Sequence, residues 1–378
     1  MYPRPSLGTF DEIAEAATRT TGLTDFGGSE HEEGLRILVE DWTHRSGLTE
    51  LGNGWKRSDL KGLLVARLMA EHGFASNPAY AQVPIERPIF VTGLPRSGTT
   101  LLQRLLTSVP GSQGLEQWIT GLPQPRPPRE TWADNPIYSA MQAGFAAFHE
   151  INPELAGIHY SDADSYEECW RLLQQSGRSV AFETQALVPA YSEWLGGQDW
   201  VGAYERHKSL LQLIGLSEPE KRWVLKNPSH LMSADALLEV YPDALIVVTH
   251  RDPATCVASM CSLAEVSTRG QSTTFVGAEI GRSQLDLLVR EQAAFAAARP
   301  HLPTDQVIDV DYSDLAGDPV GTVRAIHAGL GLPWDDESQA AVAAELEASR
   351  QGPRAPKHSY DLADYGLDQD SVRAQLTL

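Results

Sequence analysis

The sequence PIFVTGLPRSGTT, residues 88–100, decides the fold class of this chain. Its first six residues form a short, nearly continuous apolar run, which is typical of a central parallel strand buried on both faces. Gly93 and Gly98 then bracket a four-residue turn, and the segment TTLLQRLLTSVP after it predicts a helix closed by Pro110. A strand, a glycine-bracketed loop and a helix in this order turn backbone N–H groups toward an anion at the positive end of the helix dipole.

Other apolar runs suggest that this strand has neighbours. Buried strands are predicted at 222–226, 244–249 and 307–310, with helical stretches between and after them. Strand alternating with helix predicts an α/β fold, here a three-layer, P-loop-like, doubly wound and mostly parallel sheet with an N-terminal helical region and helical insertions.

The expected domain organisation follows from where this alternation begins and ends. We expect a helical region packed on the core, an α/β domain with a helical insertion on its acceptor side, and a polar tail, at residues 1–84, 85–345 (insertion at about 120–215) and 346–378. Within the first region Thr9 is expected to cap one helix, and Ser58 to precede another that stops at Gly73.

Composition and charge exclude several function classes. The chain has 378 residues and a formal net charge of −20, from 30 Lys and Arg against 50 Asp and Glu. Such an acidic surface disfavours nucleic acid and anionic lipid as non-specific partners. With only three cysteines, no apolar leader segment and no run of 18 apolar residues, we expect a cytoplasmic protein without disulfides, structural zinc or a membrane span. A homo-oligomer stays open.

The loop carries groups suited to phosphate. Ser97, Thr99 and Thr100 supply hydroxyls, and Arg96 supplies a charge-assisted contact. The spacing is that of a Walker A loop, but Thr99 stands where such loops carry lysine. The strand at 244–249 also ends without a carboxylate to hold Mg²⁺. These two departures favour a nucleotide that is bound without metal.

A second basic position follows the strand at 244–249. Arg251 is expected at the carboxyl end of a central strand, which is where open α/β sheets bind ligands. Asp252 is expected to cap the next helix with Pro253 at its first position. Ser259 then lies about two turns along that helix and can face the same crevice.

Together these segments resemble the sulfotransferase family that uses 3′-phosphoadenosine 5′-phosphosulfate (PAPS), and the resemblance runs from about Pro88 to Trp334. It implies PAPS as donor, 3′,5′-bisphosphoadenosine (PAP) as product, no metal, and a small-molecule, lipid or carbohydrate acceptor. The bacterial branch is indicated by a terminal H-x-Y-x-L-x-x-x-G-L element beginning at His358.

The resemblance also implies site residues. The 5′-phosphosulfate would be held by the loop residues Arg96, Ser97, Gly98, Thr99 and Thr100. The 3′-phosphate would be held by Arg251 and Ser259, with Tyr312 contacting the nucleotide. Some relatives place a further arginine where this chain has Leu263, so Arg354 or Lys357 of the tail would take its place.

Transfer requires a cation near the leaving phosphate oxygen and a base near the acceptor. Arg96 and Lys226, the latter at the end of the strand RWVLK, are the predicted cations. Two bases compete: His230, whose ordinary pKa is near ~6.5, and Glu116, which would need burial to raise its pKa. His159 is a third candidate base, although a place in the lining of the acceptor pocket is favoured for it.

Two other functions stay open at this point. The glycine-bracketed loop also fits a P-loop kinase or nucleotide hydrolase, which the missing lysine and carboxylate disfavour. A non-catalytic protein that binds adenosine bisphosphate would keep the same crevice without transferring a group.

Overall fold

The structure is a computed structural model that describes residues 6–151, 161–351 and 361–377. Within these ranges five strands form one sheet in which every pair is parallel, in the order β2-β3-β1-β4-β5. They are β1 (Ile89–Gly93), β2 (Ser112–Gln113), β3 (Arg222–Lys226), β4 (Leu245–His250) and β5 (Val307–Asp311). The predicted α/β class is confirmed, and β2, an edge strand of two residues, is the strand that the apolar runs did not predict.

The α-helices of the described ranges alternate with these strands and extend the chain at both ends. In chain order they are α1 (Phe10–Thr21), α2 (Glu32–His44), α3 (Glu50–Ser76), α4 (Thr99–Thr107), α5 (Gln117–Gly121), α6 (Pro136–Ile151), α7 (Trp170–Leu173), α8 (Pro189–Gly196), α9 (Val201–Ile214), α10 (Ala234–Val240), α11 (Pro253–Thr268), α12 (Ala278–Ala298), α13 (Tyr312–Gly317), α14 (Pro319–Gly329), α15 (Asp336–Gln351) and α16 (Gln369–Gln375). None of them combines the length and apolar character that crossing a bilayer would require.

Side chains of the sheet alternate between two apolar cores. Ile89 and Val91 of β1 enter one core, which α4, α14 and α15 cover. Phe90, between them, enters the other core, which contains buried residues of α9, α11 and α12. A strand buried on both faces needs apolar residues at every position, which explains the continuous run in the sequence. The result is a three-layer arrangement with helices on both faces of the sheet.

The N-terminal helices share the second core with the sheet, through buried residues such as Phe10, Leu38 and Leu64. Thr9 caps α1 as predicted: its hydroxyl accepts the Glu12 N–H at 3.2 Å and the Glu12 carboxylate accepts the Thr9 N–H at 3.1 Å.

The predicted start and stop of the next long helix were wrong. Helix α3 begins eight residues before Ser58, because the Thr49 hydroxyl accepts the Gly52 N–H. It also continues past Gly73 to Ser76. Gly73 gives room there to Leu213 of α9, whose methyl would lie 2.8 Å from an added Cβ, so this glycine serves helix packing.

The segment between β2 and β3 was predicted to be helical. It contains α5 to α9, separated by irregular stretches and 3-10 turns such as Val180–Phe182. At the other end of the chain, α15 runs through residues 346–351, and α16 packs on α11. The predicted domain boundaries themselves stay a prediction.

Candidate active site

The site is built at one edge of the sheet, where parallel strands end together. Gly93, the last residue of β1, is in register with Thr249 of β4, and Val91 is in register with Lys226, the last residue of β3. We call this the carboxyl edge: the ends of β1, β3 and β4 and the residues that follow each of them. The loop 94–98, Lys226 and Arg251 all lie here because the register requires it.

Backbone geometry fixes the loop after β1. Gly93 has φ of +131°, and a Cβ there would lie 2.4 Å from the Thr249 carbonyl oxygen. Gly98 has φ of +94°, immediately before the first residue of α4. Arg96 also adopts a positive φ, +71°, which is unfavourable for a residue with a side chain. The fold therefore holds Arg96 in a strained conformation at the carboxyl edge.

Ser97 fastens this loop from inside. Its hydroxyl donates to the Leu94 carbonyl at 2.6 Å and lies 2.5 Å from the Thr249 hydroxyl, which in turn donates to the Thr92 carbonyl at 3.1 Å. The Ser97 side chain is fully buried. Its hydroxyl shapes the loop, while Thr99 and Thr100 occupy the first turn of α4, whose amides have no partner within a helix.

The two predicted arginines lie side by side. Arg251 donates from Nη1 to the Arg96 carbonyl oxygen at 2.7 Å. Arg96 donates from Nε to the Ser259 hydroxyl at 3.1 Å. The Arg251 guanidinium also lies over the Tyr312 ring, 4.0 Å from its centroid. The structure thus brings Arg96, Arg251, Ser259 and Tyr312 together at the carboxyl edge.

The acidic residue next to Arg251 is directed elsewhere. Asp252 caps α11 as predicted, accepting the Thr255 N–H at 3.0 Å, and it also accepts from Arg373 of α16 at 2.8 Å. The bond from Arg373 lowers the pKa of Asp252 to about 2. This carboxylate is therefore an anion with its own cation, and Arg251 remains stacked on Tyr312.

Lys226 is the third cation of the carboxyl edge. It is almost fully buried, and its Nζ donates to the Thr100 hydroxyl at 3.2 Å and to the carboxylate of Glu168. The Asn227 N–H donates to the Val91 carbonyl at 3.1 Å, which ties the end of β3 to β1. Lys226 therefore faces the N-terminus of α4, as its predicted role near a leaving oxygen requires.

His230, one of the two predicted bases, lies within the apolar core. Its Nδ1 is 2.7 Å from the Tyr204 hydroxyl, and its ring packs edge-on against Phe90 with centroids 5.1 Å apart. Burial, helped by the neighbouring His207, lowers the pKa of His230 well below its ordinary value. The imidazole is therefore neutral near pH 7, and these aromatic contacts surround it.

Glu116, the other predicted base, is held in an ion pair. Arg126 contacts its carboxylate at 3.0 Å, and the same guanidinium donates to the Gln113 side chain at 2.6 Å and the Gly114 carbonyl at 2.5 Å. Burial raises the pKa of Glu116, and Arg126 counteracts that rise. Arg126 also donates to Glu218 at 3.3 Å, so its acceptors lie in β2, directly after β2 and just before β3.

Three residues that the sequence analysis singled out lie outside the described residues: Arg354, Lys357 and His159. Their roles stay predictions. Two others that the sequence analysis missed belong to the site: Glu168, which pairs with Lys226, and Glu291 of α12, which bonds Ser229. Burial raises the pKa of Glu291 from 4.5 to about 8.

One sequence signal pointed weakly to Glu168. It ends the acidic stretch DADSYEE, residues 162–168, directly before the buried Cys169. An acidic stretch that runs into a buried position places its last carboxylate close to the interior. In the described part of the chain, no group of three or more His, Cys, Asp or Glu side chains is placed to hold a metal ion.

Comparison with known proteins gives consistent matches. Residues 88–336 match the sulfotransferase family. The omega-hydroxy-beta-dihydromenaquinone-9 sulfotransferase Stf3, from Mycobacterium bovis and from Mycobacterium tuberculosis, is 27% identical over 264 residues. That match covers 65% of this chain and 63% of the relative, so the chain spans just under two thirds of these relatives.

Two solved structures are similar over nearly the whole chain. The sulfotransferase STF1 from M. tuberculosis H37Rv is 47% identical, with a TM-score of 0.92, covering 99% of this chain and 100% of that one. The sulfotransferase STF9 from Mycobacterium avium is 26% identical, with a TM-score of 0.88, covering 97% and 94%. The likeness to both includes the N-terminal helices as well as the sheet.

Proposed function

This chain belongs to the sulfotransferase family, and from that premise we propose that it moves a sulfuryl group from PAPS to a hydroxyl or amine of an acceptor. One observation carries the proposal: Arg96 and Arg251 meet at the carboxyl edge, with the Arg251 guanidinium 2.7 Å from the Arg96 carbonyl. Two arginines, a lysine and several hydroxyls at one edge suit a donor that carries negative charge at both ends of its adenosine.

The donor is proposed to lie across both basic positions. Its 3′-phosphate would contact Arg251 and Ser259, with Tyr312 beside the nucleotide. Its 5′-phosphosulfate would lie at the N-terminus of α4, against Arg96, Thr99 and Thr100. The helix dipole and the free amides of the first turn favour an anion there. Ser97 would contribute through the loop shape that its hydroxyl stabilises rather than by a bond to the donor.

Lys226 is proposed to stabilise the oxygen that the sulfuryl group leaves. Its Nζ already contacts Thr100, at the place where the 5′-phosphosulfate is expected. A fixed cation aimed at developing negative charge is among the strongest contributions to catalysis, because it costs no reorganisation during the reaction. Arg96, held in position by its strained backbone, would act on the same group.

The acceptor is proposed to be a hydroxylated lipid. The relatives are named as sulfotransferases of omega-hydroxy-beta-dihydromenaquinone-9, a hydroxylated menaquinone. We also propose a cytoplasmic location and no nucleic-acid partner. The three cysteines are free and buried, which fits a reducing compartment, and the net charge of −20 disfavours a polyanion.

The experiment supplies labelled PAPS and a panel of acceptors, with farnesol as the lipid alcohol and a sterol, a phenol and a sugar beside it. EDTA is present throughout. We expect PAP release coupled to a labelled acceptor, and a loss of at least about 100-fold in the Arg96→Ala variant. Arg282→Ala, at an exposed arginine paired with Glu279, is the matched control.

Three results would overturn the proposal. Full transfer by the Arg96→Ala variant would remove the loop from the reaction. Magnesium-dependent ATP turnover without any transfer from PAPS would instead support a P-loop kinase or hydrolase. Tight PAP binding with no turnover on any acceptor would support a non-catalytic binding protein.

A further inference from the structure

The proposed function assigns no role to Glu168. Its carboxylate accepts from the Nζ of Lys226, the same atom that donates to the Thr100 hydroxyl at 3.2 Å. The Cys169 N–H donates to the Lys226 carbonyl at 2.9 Å, which fixes the backbone next to Glu168 at the end of β3. A carboxylate is thereby held on the cation expected at the leaving oxygen.

The two partners of this pair differ in exposure. The Lys226 side chain is 2% exposed and that of Glu168 is 23% exposed. The carboxylate is therefore the more accessible partner of the pair, as a group that contacts a bound acceptor must be. Through Lys226, Glu168 is linked to Thr100 at the N-terminus of α4.

A second carboxyl group, that of Glu291, lies within electrostatic range of Glu168. Glu291 of α12 is 1% exposed and bonds Ser229, and it feels the charge of Glu168. Burial raises the pKa of Glu291 to about 8, so this group is largely neutral near pH 7. Glu291 therefore adds little negative charge beside Glu168.

We propose that Glu168 is the general base that takes the proton from the acceptor hydroxyl; this rests on the proposed function. The O–H proton passes to the Glu168 carboxylate as the acceptor oxygen forms its bond to sulfur. The bond between sulfur and the 5′-phosphate oxygen breaks, and its electron pair stays on that oxygen, which Lys226 and Arg96 stabilise. The products are the sulfated acceptor, PAP and a protonated Glu168 that returns its proton to water.

The ion pair gives this step a physical logic. In the resting site Lys226 is shared between Glu168 and Thr100. As negative charge grows on the leaving oxygen, that oxygen competes for Lys226, and the carboxylate becomes a better proton acceptor. The two earlier candidates lack this coupling, because Glu116 pairs with Arg126 and His230 bonds Tyr204 in the core.

The test compares Glu168→Gln and Glu168→Ala with Glu167→Gln. Glu167 is the neighbouring carboxylate, which accepts the Glu168 N–H and lies 3.8 Å from Arg171. In Glu167→Gln the side-chain amide oxygen can still accept that N–H. Turnover is measured as labelled sulfate passing to farnesol, and as release of inorganic sulfate when water replaces farnesol. PAP affinity is measured separately by calorimetry.

We expect kcat to fall about 10²- to 10⁴-fold in both Glu168 variants, with PAP affinity unchanged or tighter because a negative charge has been removed. Formate, a small carboxylate, should restore turnover to Glu168→Ala by about tenfold or more. Glu167→Gln should keep its kcat. Rescue by formate distinguishes a base from a group that only positions Lys226.

Three results would overturn the inference. One is a kcat for Glu168→Gln within about threefold of the unaltered protein. Another is a loss of PAP affinity that parallels the loss of turnover, and the third is absence of formate rescue. Failure of the proposed function looks different: the unaltered protein itself would neither bind PAP nor release sulfate from PAPS in either assay.

Discussion

The carboxylate–cation pairs Glu116–Arg126 and Glu168–Lys226 differ in what surrounds them. In the pair of Glu116 and Arg126, the guanidinium also bonds Gln113 and Gly114, and its carboxylate partner is almost fully buried. In the pair of Glu168 and Lys226, the lysine also bonds Thr100 at the N-terminus of α4. We call Glu116–Arg126 the closed pair, because the other partners of Arg126 are protein groups outside the donor site. We call Glu168–Lys226 the open pair, because Lys226 also contacts Thr100 where the donor is expected.

Burial alone does not make a carboxylate a general base. Burial raises the pKa of Glu116, which by itself would suit proton transfer. However, its arginine is bonded to Gln113, Gly114 and Glu218, none of which belongs to the expected donor site. Glu168 has a cation that is shared with the expected donor site. Substitution should therefore affect mainly stability at the first pair and mainly turnover at the second.

The largest effect is expected on stability, at the closed pair. Arg126→Met leaves the buried Glu116 without its cation, so the carboxyl must either stay as an unpaired buried charge or take up a proton, which should lower the free energy of unfolding by about 3–5 kcal/mol. Lys226→Met should cost much less, because Glu168 is accessible to water. Guanidinium denaturation followed by tryptophan fluorescence measures both.

A double variant controls for lost packing. Adding Glu116→Gln to Arg126→Met removes the stranded carboxylate, so it should recover part of the lost free energy. Equal losses for Arg126→Met and Lys226→Met would show that the two pairs do not differ as described.

The next effect is on turnover, at the open pair. Lys226→Met should lower kcat by about 10²- to 10³-fold, since it removes a fixed cation from the leaving oxygen. Lys61→Met, at a half-buried lysine of α3, is the control and should leave kcat unchanged. If Lys226→Met raised KM alone, the lysine would bind the donor without stabilising the transition state.

A further effect, spread over several pH units, concerns the pH dependence of stability near the open pair. The carboxyl of Glu291 has its ordinary pKa of 4.5 when unfolded and about 8 when folded, so between these values the folded state binds the extra proton. Stability should therefore be fully present below about pH 4.5 and fall as pH rises toward 8, by up to about 1.4 kcal/mol per pH unit from this group.

The measurement compares thermal unfolding of the unaltered protein and Glu291→Gln at pH 5, 6, 7 and 8. The variant should show a flatter decline, whereas Glu220→Gln, at an exposed carboxylate, should follow the unaltered protein. Parallel curves for all three would exclude a raised pKa at Glu291.

The smallest effect is expected at His230. Tyr204→Phe removes the hydroxyl that lies 2.7 Å from its Nδ1, which should cost about 1 kcal/mol of stability and leave kcat within about twofold. Denaturation and steady-state turnover measure the two quantities. A large loss of kcat with unchanged stability would restore His230 as the candidate base, because Tyr204 would then orient a catalytic imidazole.

Local sequence patterns predicted the strands whose burial determines their residue types. Continuous apolar runs gave β1, β3, β4 and β5, because strands buried on both faces need them. Edge strand β2 has two residues and no pattern. Helix α3 begins earlier than predicted because Thr49, not Ser58, caps it. Serine and threonine are both favoured caps, so the sequence alone did not distinguish the two positions.

The donor side of the site was accessible to sequence for a similar reason. Arg251 follows β4 directly and Arg96 lies three residues after the end of β1, so the sheet register brings them together. Glu168 was missed because it reaches Lys226 through an irregular segment, whose path is set by the Cys169 bond to the Lys226 carbonyl. No fixed spacing links positions 168 and 226 in the sequence.

The most direct test of the central claim, one donor crevice spanning both arginines, is calorimetric titration of PAP in EDTA. The unaltered protein should bind one PAP per chain without metal, and Arg251→Ala should weaken that binding about 10- to 100-fold, while Arg282→Ala leaves it unchanged. Equal PAP affinity in Arg251→Ala and the unaltered protein, or no binding by either, would contradict the account.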